Sequence, residues 1–267
     1  TNTVAKTGDE ITVSFTVDDD MLATPTATIQ TKAATVAVDG AHPNYTAKYT
    51  MIGTDTEGAI AFTLDFTDES GNAATTVTSV TDASSVTFDR TAPTATAVTI
   101  VSDNATNTVA KTGDEITISF TVDDDMLATP TATIQTKAAT VAVDGAHPNY
   151  TAKYTMIGTD TEGAIAFTLD FTDESGNAAT TVTSVTDASS VTFDRTIPTA
   201  TAVTIVSDNA DTTKAKTGDE ITISFTVDDD MLATPTATIQ TKAATVAVDG
   251  AHPNYTAKYT LIGTDTE

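Results

Sequence analysis

The chain has 267 residues, 39% of them hydrophobic, no cysteine and a formal net charge of −25. Without cysteine there is no disulfide framework and no thiolate metal site, and so acidic a chain has no basic stripe to displace counterions from nucleic acid. No run approaches the ~18 apolar residues of a membrane span.

Residues 1–105 and 106–210 differ only at Val13/Ile118 and Ala92/Ile197, and residues 211–267 repeat 106–162 with changes confined to the run 211–214 and Leu261. So long a period marks an array of whole domains, since solenoid units run to ~20–50 residues. Each such unit is large enough for a core of its own. Thr1 opens inside a repeat with no export leader, so the sequence reads as a window on a longer chain.

In the second copy, the stretch Thr94–Val101 opens a unit. Ile116, Ile118, Phe120 and Val122 then alternate with Thr117, Ser119 and Thr121, the period of two that marks a half-buried strand. Short strands are predicted at Thr131–Gln135 and Thr140–Val143. Alternation returns at Tyr150, Ala152, Tyr154 and Met156, and again at Ile165, Phe167, Leu169 and Phe171. Two short strands, Val182–Val185 and Val191–Asp194, close the unit. Turn formers separate them, among them Thr112-Gly113-Asp114, Asp144-Gly145 and Glu174-Ser175-Gly176-Asn177. Threonine fills 25 of the 105 positions of residues 106–210, and its β-branched, polar side chain suits the outer face of a sheet. No helical period is present. Some seven strands in about 100 residues read as an all-β fold, tandem immunoglobulin-like Greek-key sandwiches of about 105 residues each.

Asp89-Arg90-Thr91-Ala92-Pro93 and Asp194-Arg195-Thr196-Ile197-Pro198 are the expected joints, short and stiffened by proline. The units are then 1–90, lacking its first strand, 91–195, complete, and 196–267, lacking its last strands. Successive units are expected to stack nearly collinearly, with a rise of roughly 40 Å each.

With the strands placed, the chain resembles the tandem Ig-like repeats of very large bacterial surface adhesins and, more loosely, hyalin-type repeats. The matching motifs are Lys111-Thr112-Gly113-Asp114-Glu115-Ile116-Thr117, Tyr150-Thr151-Ala152-Lys153-Tyr154-Thr155, Asp160-Thr161-Glu162-Gly163, Phe171-Thr172-Asp173-Glu174-Ser175-Gly176-Asn177 and the Asp-Arg-Thr-Ala-Pro joint. The resemblance implies an exported, extracellular or cell-surface protein whose repeats act as spacers, often rigidified by calcium between domains. The partners it implies are further copies of the same repeat, with self-association into a fibre as an extension.

A sandwich threads alternately between its two ends, which assigns the acidic loops. Asp123, Asp124, Asp125, Asp173 and Asn177 fall at the end where the chain enters the second unit. Asp160 and Glu162 fall at its exit, beside Asp194. The first joint therefore gathers Asp55, Glu57 and Asp89 toward Asp123–Asp125, Asp173 and Asn177. The second gathers Asp160, Glu162 and Asp194 toward Asp228, Asp229 and Asp230. Hard oxygens from several loops suit calcium, which takes 6–8 oxygen ligands in flexible geometry. The competing reading is solvated acidic loops that keep the protein soluble.

His42, His147 and His252 each stand in Gly-Ala-His-Pro-Asn-Tyr and read as turn residues. Tyr150 and Tyr154 read as core residues whose hydroxyls reach backbone at the sandwich rim. The chain has no Gly-x-Ser-x-Gly elbow and no His-Glu-x-x-His, so no enzymatic role is expected. A multivalent binding module gripping glycans or surfaces through the sandwich-end loops is the alternative to a spacer.

Overall fold

The computed structural model describes residues 3–231 and 233–265, which form strands, turns and bends with no helix. They divide into two compact units, 1–195 and 196–267.

The stretch 91–195 carries ten strands: β1 (Ala95–Ser102), β2 (Val109–Ala110), β3 (Glu115–Val122), β4 (Thr131–Ile134), β5 (Lys137–Ala138), β6 (Thr140–Val143), β7 (Asn149–Thr155), β8 (Gly163–Ala164), β9 (Phe167–Asp170) and β10 (Thr192–Phe193). One sheet has the order β1-β3-β7-β6, a second β5-β4-β9, and a small third β2-β10-β8. β3 lies antiparallel to β7, with Ile116 opposite Tyr154, Ile118 opposite Ala152 and Phe120 opposite Tyr150. Its even-numbered residues are all buried and its odd-numbered ones half-buried, as two-residue periodicity over a packed face requires. Ile116, Ile118, Phe120 and Ala152 meet Ile134, Phe167, Leu169 and Phe171 in one core, with Tyr154 packed against it. This is a two-layer β-sandwich. Its rings are ordered too: Phe120 stacks on Tyr150 at 5.6 Å between centroids.

The strand expected from Ile165 to Phe171 is divided. Ile165 N donates to Val191 O at 2.9 Å, whereas Phe167–Asp170 pairs with β4. The chain changes sheets between these contacts. Residues Val182–Val185 form no strand, only a bridge from Val182 to Leu169. The segment instead crosses over β1: Thr186 N donates to Val98 O at 2.8 Å, and Ile100 N to Ser189 Oγ at 2.9 Å. β10 is accordingly short, and its parallel partner β2 spans two residues, too few for any period to register. The Tyr154 hydroxyl reaches the Asp160 carboxylate at 3.2 Å and not the backbone.

In residues 3–90, Asn44–Thr50 pairs with Glu10–Thr16 on one side and Thr35–Val38 on the other, and the same registers recur. This sheet has no counterpart of β1, and Val13 and Phe15 are half-buried where Ile118 and Phe120 are buried. In the second unit, Ala200–Ser207 repeats the sequence of β1 and pairs with Glu220–Val227. Its Val203 and Ile205 are 61% and 65% exposed, against 0% and 4% for Val98 and Ile100. The difference follows from cover, since residues 196–267 contain no counterpart of the segment 182–193 that lies across β1. Among the described residues no helix is long and apolar enough to cross a membrane.

Candidate metal centre

Both stretches that meet at the first joint belong to one compact unit. There, carboxylate oxygens of Asp89, Asp124 and Asp173 lie within 4.8 Å of one another. Among the described residues it is the one grouping of three or more potential metal ligands.

Each arrives by a different route. Asp89 follows the closing strand of residues 3–90, and its N–H donates to Ala5 O at 2.9 Å. Its Oδ1 accepts the Thr91 N–H at 2.9 Å. Asp124 sits in the turn after β3, where its Oδ1 accepts the Asp125 N–H at 2.7 Å. Asp173 follows β9 and is 1% exposed. Asn177 fixes it, donating its N–H to Asp173 Oδ1 at 2.7 Å and its side-chain amide to Oδ2 at 2.9 Å. The same amide reaches Asp89 O at 3.2 Å, across the joint. Gly176 permits the turn: its φ is +91°, and a Cβ there would come within 3.0 Å of Lys6 Cε.

Burial first, then repulsion from Asp89, Asp173 and Asp123, pushes the Asp124 carboxyl above the usual range, against the lowering effect of the Asp125 N–H. Arg90, the residue after Asp89, directs its guanidinium to Glu57, at 3.7 Å from Nε, and to Gly53 O. Positive charge is therefore not delivered to the triad by the adjoining arginine. Three carboxylates from three chain segments, one of them buried and oriented by an asparagine, suit a hard cation that accepts irregular oxygen geometry. Calcium fits this donor set; a softer metal would seek nitrogen or sulfur.

The other acids of the joint are placed elsewhere. Asp55 is buried in a turn, accepting the Ile52 N–H at 2.8 Å and the Tyr49 hydroxyl at 3.2 Å. Asp160 does the same with Ile157 and Tyr154. Glu57 accepts the Arg90 N–H at 3.0 Å and the Thr91 hydroxyl at 2.7 Å. Asp123 accepts the Thr94 N–H at 2.7 Å. Asp125 Oδ1 lies 3.6 Å from His147 Nδ1, and its carbonyl accepts the Glu174 N–H at 2.9 Å. Glu162 accepts the Arg195 N–H at 3.0 Å, and the Asp194 N–H donates to Ala110 O at 2.8 Å. In the second unit Asp228 accepts the Thr199 N–H at 2.7 Å, Asp229 the Asp230 N–H at 2.7 Å, and Asp230 faces His252 Nδ1 at 3.7 Å. Sequence reasoning passed over Thr91 and Thr94, whose hydroxyls take up two of the expected ligands; a hydroxyl flanking the joint proline was the available signal.

Residues 3–90 repeat part of this centre. Asn72 holds Asp68 with two bonds of 2.7 Å, and Asp19 Oδ1 accepts the Asp20 N–H at 2.8 Å.

No family model and no curated protein matches the chain. Among solved structures, the D00-D0 domain of intimin aligns at 13% identity and a TM-score of 0.28, covering 72% of this chain and 95% of its own. A marsupial T cell receptor aligns at 6% identity and 0.39, over 99% and 92%. A Bacteroides ovatus glucan-utilisation protein, SGBP-B, solved with a mixed-linkage heptasaccharide, aligns at 13% and 0.21, over 98% and 66%. At these TM-scores the fold rests on the chain's own strand order and core.

Proposed function

We propose that this chain is part of an extracellular spacer or filament of tandem Ig-like repeats, of the kind that carries a surface adhesin, and that calcium bound at the repeat joints stiffens it. The observation that carries the reading is the triad of Asp89, Asp124 and Asp173, which draws on two successive repeats. An ion held there would tie the end of one domain to the beginning of the next. Asp89, Asp124 and Asp173 would supply oxygens, and Asn177 would orient Asp173. Near-identity of the repeats supports a structural role, because every copy offers the same surface and added copies add length. The charge of −10 in residues 106–210, 14 acidic against 4 basic side chains, suits a protein that must stay soluble outside the cell.

Titration calorimetry of calcium into the full chain tests the reading, with melting followed in calcium and in chelator. Saturable binding and a higher melting temperature in calcium are expected, since an ion bound only by the folded state stabilises it by mass action. Sodium at equal ionic strength should not substitute, because screening is not coordination. No calcium heat, with a melting temperature indifferent to chelator, would leave the acids as solvated loops.

A further inference from the structure

The first joint is held from both sides by carboxylates that stand outside the triad. On the side of residues 3–90, Glu57 Oε1 accepts the Arg90 N–H at 3.0 Å and the Thr91 hydroxyl at 2.7 Å, while Arg90 donates through Nη1 to Gly53 O. On the other side, Asp123 Oδ1 accepts the Thr94 N–H at 2.7 Å and Oδ2 accepts the Thr94 hydroxyl at 2.5 Å. The Asp123 N–H in turn donates to Thr94 O at 3.2 Å. Only Ala92 and Pro93 lie between the two grips. Pro93 is buried, its ring fixes φ, and it confines Ala92 to extended backbone. Little torsional freedom is left at the joint.

We infer that Glu57 and Asp123 are the two jaws of a hydrogen-bonded clamp that aligns the joint without any bound ion. They act as positioning residues and not as cation ligands. The bonds they accept from Thr91 and Thr94 are also the largest influence holding both carboxyls below their usual range, so both are charged, and strong acceptors, at neutral pH. The grips recur within each unit. Glu162 accepts the Arg195 N–H at 3.0 Å in the first unit, and in the second Asp228 accepts the Thr199 N–H at 2.7 Å together with its hydroxyl. Each grip, taken within its own unit, is thus a repeated feature of the sequence. It differs from the proposed calcium role in working when calcium is absent.

The chain has no cysteine, so the exposed Lys32 and Lys137 can be replaced by cysteine and spin-labelled, one on each side of the joint. Pulsed electron resonance on the full chain, in chelator throughout, then reads the spread of distances between them. The parent should give a narrow distribution. Glu57→Ala with Asp123→Ala should broaden it about twofold or more as backbone freedom returns to the joint. Thr91→Val with Thr94→Val, which removes only the two hydroxyl donors, should broaden it by less, and it decides the matter if the alanine pair fails to fold. A parent already as broad in chelator as the alanine pair, or variants as narrow as the parent, would overturn the clamp. Because calcium never enters the measurement, absence of calcium binding elsewhere leaves this result standing.

Discussion

Replacing Asp124 by asparagine should change stability in opposite directions with and without calcium. At 4.8 Å, the spacing within which the triad oxygens lie, two unit charges repel by about 3.5 kcal/mol at an effective dielectric of 20. Asp89 and Asp124 are half-exposed, and solvent screening reduces that to about 1 kcal/mol. In chelator, removing the charge should therefore raise the melting temperature by about 2–4 °C, the shift per kcal/mol for a unit of ~150–250 residues. Calcium at ~100 times its dissociation constant would add about 2.7 kcal/mol to the parent, or roughly 5–10 °C. The variant, short of one carboxylate, should gain far less, so the two melting curves should exchange order between buffers. Scanning calorimetry of both proteins in chelator and in calcium reads this directly. If Asp124→Asn melts below the parent in chelator, or both gain equally from calcium, then neither repulsion nor coordination operates at the triad as argued.

Phe167→Ala should cost ~3–5 kcal/mol in a denaturant melt of the first unit, because the ring closes the core between the two sheets. Asp160→Asn should cost about 1–3 kcal/mol through the paired turn and tyrosine bonds of a buried acceptor, while leaving calcium binding by calorimetry unchanged. Acid should loosen the joint. The Asp123 carboxyl is held below its usual range by Thr94, so its stabilisation is complete above the unfolded value and lost as pH falls through the lower folded one. The raised Asp124 carboxyl acts in the opposite sense, its penalty disappearing on protonation, so a pH series of melting temperatures on Asp124→Asn should show the Asp123 loss more plainly than the parent.

The long alternating strands were legible because each buries one face over seven or eight residues, enough for a period of two to stand out. The strands Val109–Ala110 and Lys137–Ala138 were not, since two residues carry no period; the first pairs with Thr192–Phe193 far along the chain, the second folds straight back on Thr131–Ile134. The acidic joint shows the same limit. Asp123, Asp124 and Asp125 form one run in the sequence, yet they face Thr94, the triad and His147 respectively. Counting strands assigned the run to one end of the sandwich, but it could not separate three neighbours whose partners come from three other segments. Asp55 and Asp160 were indistinguishable from ligands for a similar reason: a carboxylate spent on a buried turn looks the same in sequence as one turned toward a cation.

The crossing of residues 182–193 over β1 has a kinetic consequence. A repeat is sealed only when its last dozen residues return to its first strand, a closure spanning 88 residues between Val98 and Thr186. Such long-range closure is slow relative to local pairing. Meanwhile Ala95–Ser102 and Ala200–Ser207 have the same eight residues, so a sealing segment meets two strands that side-chain chemistry cannot tell apart. Correct assembly must then be selected by connectivity and by order of synthesis, with each repeat closing before the next equivalent strand becomes available. Near-identity makes the array easy to lengthen, and the same near-identity exposes it to misassembly between neighbours whenever many copies refold at once.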